Sequence, residues 1–219
     1  MYLKQILSKS GTKFLFVFSL FMCFACPSLA EAYLNDPLSS NPKYIEGYAL
    51  IDSRSYQKSL NIFNELINSS KVSSGAYFGR GRSHHELGNL QAAINDYKSA
   101  IIENPLNAKA HSNLGLIYGN KKDFKLAIQS FNRAIEIDPK FDHAYSNRGV
   151  AKGASGDING ALSDFSKSIE SNPNFANGWA NRGITLEITG DKDGACRDYK
   201  KAAQLGRKDA QAWFNAQCK

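Results

Sequence analysis

Two kinds of side chain with distinctive chemistry stand out in this 219-residue sequence, the cysteines and the histidines. The histidines are His84, His85, His111 and His143. None is close in sequence to Cys196 or Cys218, and no Cys-x-x-Cys pair follows residue 30, so we expect no metal site. The sequence also lacks the GxSxG, GxxxxGK[ST], HExxH and GxGxxG motifs. We therefore expect no cofactor and no catalytic residue, and an enzyme is the least favoured class of function.

The two cysteines that follow residue 30 are placed so that they can meet. Cys196 and Cys218 lie about ten residues on either side of a turn at Gly206-Arg207. In an antiparallel helical hairpin both would lie roughly 15 Å from that turn. In an oxidising compartment we expect a disulfide between them, with two free buried thiols as the alternative.

The elements that position these residues follow from a repeat of 34 residues. A glycine recurs at this spacing, and an aromatic residue follows each glycine by 16 positions. The glycines are Gly47, Gly81, Gly115, Gly149 and Gly183, and the aromatic residues are Phe63, Tyr97, Phe131, Phe165 and Tyr199. A glycine within a first helix lets a second helix approach closely, and a proline ends three of the units. The spacing predicts first helices at 75–87, 108–121, 142–155 and 176–189, and second helices at 90–103, 124–137, 158–171 and 192–205.

The third unit carries the clearest motif, His111-x-x-Leu114-Gly115-x-x-Tyr118, followed by Ala127-x-x-x-Phe131 and Pro139. This pattern resembles the tetratricopeptide repeat family. The resemblance implies an all-α solenoid of stacked antiparallel helix–turn–helix units, wound as a right-handed superhelix with a concave groove for a protein or peptide. We expect five units at 40–73, 74–107, 108–141, 142–175 and 176–207, the first of them degenerate. A capping helix at 208–219 follows, with Ala212, Trp213 and Ala216 facing inward.

The first 39 residues have a different composition. A basic segment precedes the apolar run 14–25, and small residues follow at Ala30 and Ala32. This pattern is typical of a secretory signal peptide, so we expect residues 1–30 to direct export and residues 31–39 to be a linker. The expected location is periplasmic or secreted. An uncleaved membrane anchor through residues 14–25 is the alternative, although that run is short for a span.

Arginines and aspartates vary together between the repeats. Where the residue before the shared glycine is Arg, the residue before the second-helix aromatic is Asp; in the third unit these are Leu114 and Ser130. The expected ion pairs are Arg80 with Asp96, Arg148 with Asp164, and Arg182 with Asp198. Since a guanidinium suits bidentate pairing with a carboxylate, we interpret them as structural bridges within each hairpin. Binding of an acidic ligand by these arginines is the alternative.

In the resembled family the first helices line the groove, which gives a set of candidate binding residues. They are Phe78, Arg82, Lys109, Asn113, Leu116, His143, Asn147, Val150, Asn177, Asn181 and Ile184. The asparagines can hydrogen-bond a peptide backbone through both donor and acceptor, and a local bond to the protein's own backbone is the alternative.

The charge of the chain does not indicate a nucleic-acid partner. The formal net charge is +7, but three of the lysines lie in the first 13 residues and no Lys/Arg cluster follows. We therefore predict a non-catalytic protein–protein scaffold or adaptor outside the cytoplasm, which contacts a membrane only if the N-terminal segment stays uncleaved. The alternative is a structural envelope protein that associates with itself.

Overall fold

The computed structural model describes residues 36–69 and 73–218, and that part of the chain is built from eleven helices. They are α1 Pro42–Asp52, α2 Tyr56–Asn68, α3 Ser74–Glu86, α4 Leu90–Glu103, α5 Ala108–Asn120, α6 Phe124–Ile137, α7 Asp142–Ala154, α8 Ile158–Ser171, α9 Ala176–Ile188, α10 Lys192–Gln204 and α11 Lys208–Gln217. The observed helices from α3 to α10 begin and end within one residue of the ranges predicted from the repeat.

Successive helices pair into hairpins, α1 with α2 through α9 with α10, and each hairpin packs on the next. The shared glycine makes the close approach possible within a hairpin. A Cβ at Gly149 would lie 2.7 Å from the ring of Phe165, and one at Gly115 would lie 2.9 Å from the ring of Phe131. The prediction of an all-α solenoid is therefore confirmed.

The first helices of neighbouring hairpins also touch one another, at α1–α3, α5–α7 and α7–α9. Because these helices approach each other across the hairpins, we take their layer to be the inner side of the stack. The second helices α2, α4, α6, α8 and α10 form the outer layer. The first four each pack between consecutive first helices, and α10 packs between α9 and α11.

The turn inside each hairpin needs a left-handed residue. Gly88, Gly156 and Gly190 have φ between +78° and +97° in three of the units. In the third unit Lys122 adopts φ +62° instead, so a residue with a side chain occupies a conformation that glycine adopts at lower cost. Asp123 still caps α6 by accepting from the N–H of Leu126 at 3.1 Å.

The two ends of the stack differ from the sequence-based expectations. Leu38, placed in the predicted linker, is buried with Ile51, Phe63 and Leu66, so this residue packs against the first hairpins. At the other end α11 packs through Ala210, Trp213 and Phe214. The expectation that Ala212 and Ala216 face inward is wrong, because both are exposed.

The predicted signal peptide at 1–30, including the alternative anchor, lies outside the described residues. Within the described part of the chain, none of the helices combines the length and the apolar character needed to cross a bilayer.

Candidate interaction groove

Nine of the eleven candidate residues form three rows on the inner helices. On α5, α7 and α9 they are spaced i, i+4 and i+7, which places them on one face of each helix. The rows are Lys109, Asn113 and Leu116; His143, Asn147 and Val150; and Asn177, Asn181 and Ile184.

The end of each row carries an apolar side chain that water reaches. Val150 is 50% exposed and Ile184 is 43% exposed, and Leu116 is half-buried. One turn beyond Ile184, Ile188 is 70% exposed. A group of aliphatic side chains left in water on adjacent helices is typical of a surface that binds another molecule.

The two candidates on α3 behave differently from the rest. Phe78 is only 8% exposed and packs with Tyr97, Ile94 and Leu114, so its assignment to the groove surface is wrong. Phe78 was included only because of its position in the repeat, and in the structure that position is buried between two hairpins. Arg82 is half-buried and makes no ion pair or hydrogen bond within the described part of the chain.

The asparagines in the middle of the three rows are not equivalent. Asn113 donates to the hydroxyl of Tyr97 at 3.3 Å, and Asn181 donates to Oγ of Ser146 at 3.2 Å. Both therefore contact the preceding unit through the amide nitrogen. Asn147, half-buried between them, makes no side-chain hydrogen bond to the described residues, so both its donor and its acceptor are unused there.

His143 lies at the edge of the groove against an acid and an aromatic ring. Its Nδ1 is 2.7 Å from Oδ1 of Asp142, and its ring is 4.4 Å from the ring of Phe175. Burial opposes ionisation of Asp142, but the bonds from His143 and from the Asn172 amide outweigh it and lower the pKa of this carboxyl. The acid next to the groove is therefore already satisfied by the protein.

Each predicted Arg–Asp pair comes together between the two helices of its hairpin. Arg182 donates from Nε and Nη2 to the two carboxylate oxygens of Asp198, at 2.7 and 2.9 Å. The other two pairs have the same bidentate geometry, at 2.9 and 2.6 Å for Arg80 with Asp96 and 2.8 and 2.6 Å for Arg148 with Asp164. The aspartate side chains are between 4% and 6% exposed, so each carboxylate sits in the hairpin core.

Each of these arginines has two further contacts that the sequence reasoning missed. Nη1 donates to a side chain of the preceding second helix, and the guanidinium lies over the aromatic residue three positions earlier. The acceptors are Asn64, Asn132 and Ser166, at 3.0, 2.7 and 3.1 Å, and the rings are those of Tyr77, Tyr145 and Trp179, at 5.6, 5.5 and 5.2 Å. We call this arrangement the arginine staple. The three acceptors occupy the same position of the 34-residue repeat. In the unit that precedes Leu114, that position is Lys98, which cannot accept a hydrogen bond. That repeat-spaced variation was the signal that could have found them.

The cysteines lie where the hairpin geometry predicted. The structure pairs Cys196 on α10 with Cys218 at the end of α11, with their Cα atoms 5.7 Å apart. Trp213 of α11 stacks on Tyr199 of α10 at 4.0 Å between ring centroids. The cap thus packs on the last hairpin through an aromatic contact, and the two cysteines lie close together beside it.

Nothing in the described part of the chain brings three or more potential metal ligands together, whether His, Cys, Asp or Glu. One open cavity of about 280 Å³ lies between α8, α9 and α10, with Arg182, Asp198 and Arg197 in its lining. Two of those three residues already belong to an arginine staple.

Known structures with this architecture are numerous. PilF from Pseudomonas aeruginosa superposes with a TM-score of 0.71 at 17% identity, over 76% of each chain. MamA gives 0.64 at 21% identity, over 75% of this chain and 96% of that one. YrrB, described as a TPR protein with an unusual peptide-binding site, gives 0.61 at 20% identity, over 82% of this chain and 95% of that one. At these identities the likeness concerns the fold. Comparison with curated proteins gives no significant match.

Family models match along most of the folded part. Models described as Tetratricopeptide repeat match residues 44–101, 108–141 and 165–197, and one described as TPR repeat matches residues 81–122. Together they cover more than half of the sequence and include the degenerate first unit. Proteins of this family are generally non-catalytic scaffolds that hold protein or peptide partners. The repeat spacing, the stacked hairpins and these matches agree that the chain belongs to the tetratricopeptide repeat family.

Proposed function

We propose that this protein is an adaptor that binds a peptide segment of a partner protein on the inner face of α5, α7 and α9. The observation that carries the proposal is the exposed row on α7, where Asn147 has unused hydrogen-bonding groups beside the half-exposed Val150. An amide side chain satisfies the N–H and C=O of an extended peptide, and an aliphatic neighbour contacts its side chains.

The test is a variant that removes both features of that row. Asn147→Ala with Val150→Asp is expected to weaken capture of the native partner at least tenfold, since a charge beside the ligand must be desolvated. Partners are identified by crosslinking and affinity purification from cells, and affinity is then measured with the purified partner. Circular dichroism should show unchanged helix content because neither side chain belongs to the buried core.

The matched control is Asn159→Ala with Ile102→Asp. Asn159 is an exposed asparagine on α8, and Ile102 is 76% exposed on α4, so this variant makes the same chemical changes on the outer layer. It should leave capture unchanged. Equal loss in both variants, or no loss in the groove variant, would contradict the groove.

We further propose that the protein works outside the cytoplasm after removal of residues 1–30, with Cys196 and Cys218 oxidised. The basic and apolar N-terminal pattern supports export, and the proximity of the two cysteines supports a disulfide in an oxidising compartment. Cell fractionation with N-terminal sequencing should find a chain that begins just after Ala30 or Ala32. Retention in the cytoplasm with the initial residues intact would contradict export.

A further inference from the structure

The chain's own residues fill the N-terminal part of the inner face. Unit two has Gly75 and Gly79 where the later units carry groove side chains. Asp36 and Tyr44 occupy the space in front of Gly75, and Asp36 accepts its N–H at 2.6 Å. Tyr48 donates to the carbonyl of Gly75 at 2.8 Å, and the ring of Phe63 fills the space in front of Gly79. A ligand therefore has no access to these positions.

The C-terminal end of the inner face is also occupied. Arg207, in the turn before the cap, donates from Nη1 to Oδ1 of Asn177 at 2.8 Å. Its other nitrogens bind Asp209, which holds the guanidinium in place, and hydrogen bonding to Asp209 raises the pKa of Arg207 above its usual value. Asn177, predicted as a binding residue, thus serves as the partner of the cap.

Between these two ends, three helices remain open. Packed helices lie about 8–10 Å apart, so α5, α7 and α9 cover roughly 20 Å. An extended chain rises about 3.3 Å per residue and crosses that distance in about six residues. The side chains along the way are Leu116, Asn147, Val150 and Ile184, three of them aliphatic.

The candidate groove residues carry charge of one sign only. Of the eleven candidate groove residues, Arg82 and Lys109 are cationic and none is acidic. Neither cation forms an ion pair within the described part of the chain. Glu86, one turn beyond Arg82, does not pair with it, and Asp142 is held by His143 and Asn172. Both unpaired cations lie toward the α3–α5 end of the groove.

We propose that the open groove takes an extended peptide segment of about six residues, apolar in its centre and acidic at the end that lies on α5. This inference rests on the proposed function and adds to it the length, the composition and the orientation of the ligand. The two ends set the length because Asp36 and Arg207 block continuation on either side.

A displayed library of random twelve-residue peptides, selected on the purified protein, tests this directly. The expected consensus spans about five to seven positions, with aliphatic residues in the middle and Asp or Glu at one end. Synthetic peptides of four to twelve residues built on that consensus should gain affinity up to about six residues and then level off. Replacing the acidic residue by Lys should weaken binding about tenfold.

Two variants locate the effect. Lys109→Ala should abolish the preference for the acidic peptide, whereas Lys125→Ala, an exposed lysine on the outer helix α6, should not. Arg207→Ala should move the levelling-off to longer peptides because it frees Asn177.

The outcomes separate this inference from the proposed function. Affinity that keeps rising past about eight residues, or equal affinity for acidic and basic peptides, overturns the inference. If Val150→Asp still weakens those peptides, the groove itself stands. Peptides whose binding Val150→Asp does not change would overturn both. A library that gives no consensus would overturn the inference, and capture of the native partner would still test the function.

Discussion

One repeat position is buried between helices in both the third and the fifth unit. It carries an apolar residue in the third unit and a charged residue in the fifth. In the fifth unit Arg182 bonds to Asp198 on its own second helix and to Ser166 on the preceding one, under the ring of Trp179. In the third unit Leu114 takes the place of the arginine and Ser130 that of the aspartate. Leu114 is 7% exposed and belongs to an apolar cluster that spans α3, α4 and α5.

This difference shows that two kinds of interaction can hold neighbouring units together. One is a set of directional hydrogen bonds, and the other is the burial of apolar surface. A bidentate Arg–carboxylate pair fixes the relative position of three helices because its donors point along set directions. Apolar contact stabilises in proportion to buried area and tolerates small shifts. The staple is also more sensitive to mutation than the apolar junction, because removal of one partner leaves an unpaired buried charge that destabilises the fold.

The largest expected effect comes from breaking a staple on one side. Arg182→Leu leaves Asp198 as a buried carboxylate and should lower the free energy of unfolding by about 3–5 kcal/mol. Arg182→Leu with Asp198→Ser copies the third unit and should recover most of that loss. Urea denaturation followed by circular dichroism, with hydrogen exchange of α9 and α10, measures both. Equal stabilities of the single and double variants would contradict the staple.

A built-in control exists in the fourth unit. Asp164 pairs with Lys152 at 2.9 Å as well as with Arg148. Because a second cation remains, Arg148→Leu should cost less than Arg182→Leu, by about 1 kcal/mol or more.

The reverse experiment installs a staple in the third unit. Leu114→Arg alone places an unpaired charge in the apolar cluster and should cost about 2–3 kcal/mol. Adding Ser130→Asp and Lys98→Asn supplies both missing partners and should bring the unfolding free energy to within about 1 kcal/mol of the wild type. Failure of the triple variant to improve on the single one would show that the surrounding apolar packing excludes the staple.

The turns within the third and fourth units also differ at one equivalent position. Lys122 has φ +62° where the fourth unit has Gly156 at φ +97°. Lys122→Gly should raise the unfolding free energy by about 0.5–1 kcal/mol, and Gly156→Lys should lower it by a similar amount. Thermal unfolding of the two variants side by side would reveal the opposite signs. Two shifts of the same sign would count against this account.

The smallest effect concerns pH. Burial lowers the pKa of His111 below its usual 6.5, although its bond to the carbonyl of Pro105 opposes the shift. The unfolded chain therefore takes up this proton more readily, so the stability present above pH 6.5 is lost as the pH falls through the lowered pKa.

In the fifth unit Trp179 makes the corresponding bond, to the carbonyl of Pro173 at 2.9 Å, without titrating. His111→Trp should keep the packing and reduce the loss of unfolding free energy between about pH 7 and pH 5, as measured by urea titrations. Burial also lowers the pKa of His84, so some pH dependence should remain. An unchanged pH profile would indicate that His111 does not contribute to it.

The sequence by itself determined the helices, their pairing and the Arg–Asp partners. Regular 34-residue spacing makes each unit a copy of one packing solution, so a residue's role in one unit predicts its role in the next. The pairing of Arg182 with Asp198 could therefore be predicted without knowing the distance between them, because both residues are replaced together, by Leu114 and Ser130, in the third unit.

Only the tertiary structure decided where the repeat stops being uniform. Phe78, expected to bind a ligand, is buried. Asn177 accepts a hydrogen bond from Arg207, and Asp36 accepts one from the N–H of Gly75. These contacts join residues up to 39 positions apart and each occurs once, so no repeat-wide pattern records them. The ends of a solenoid lack a neighbour on one side, and what covers them depends on local three-dimensional fit.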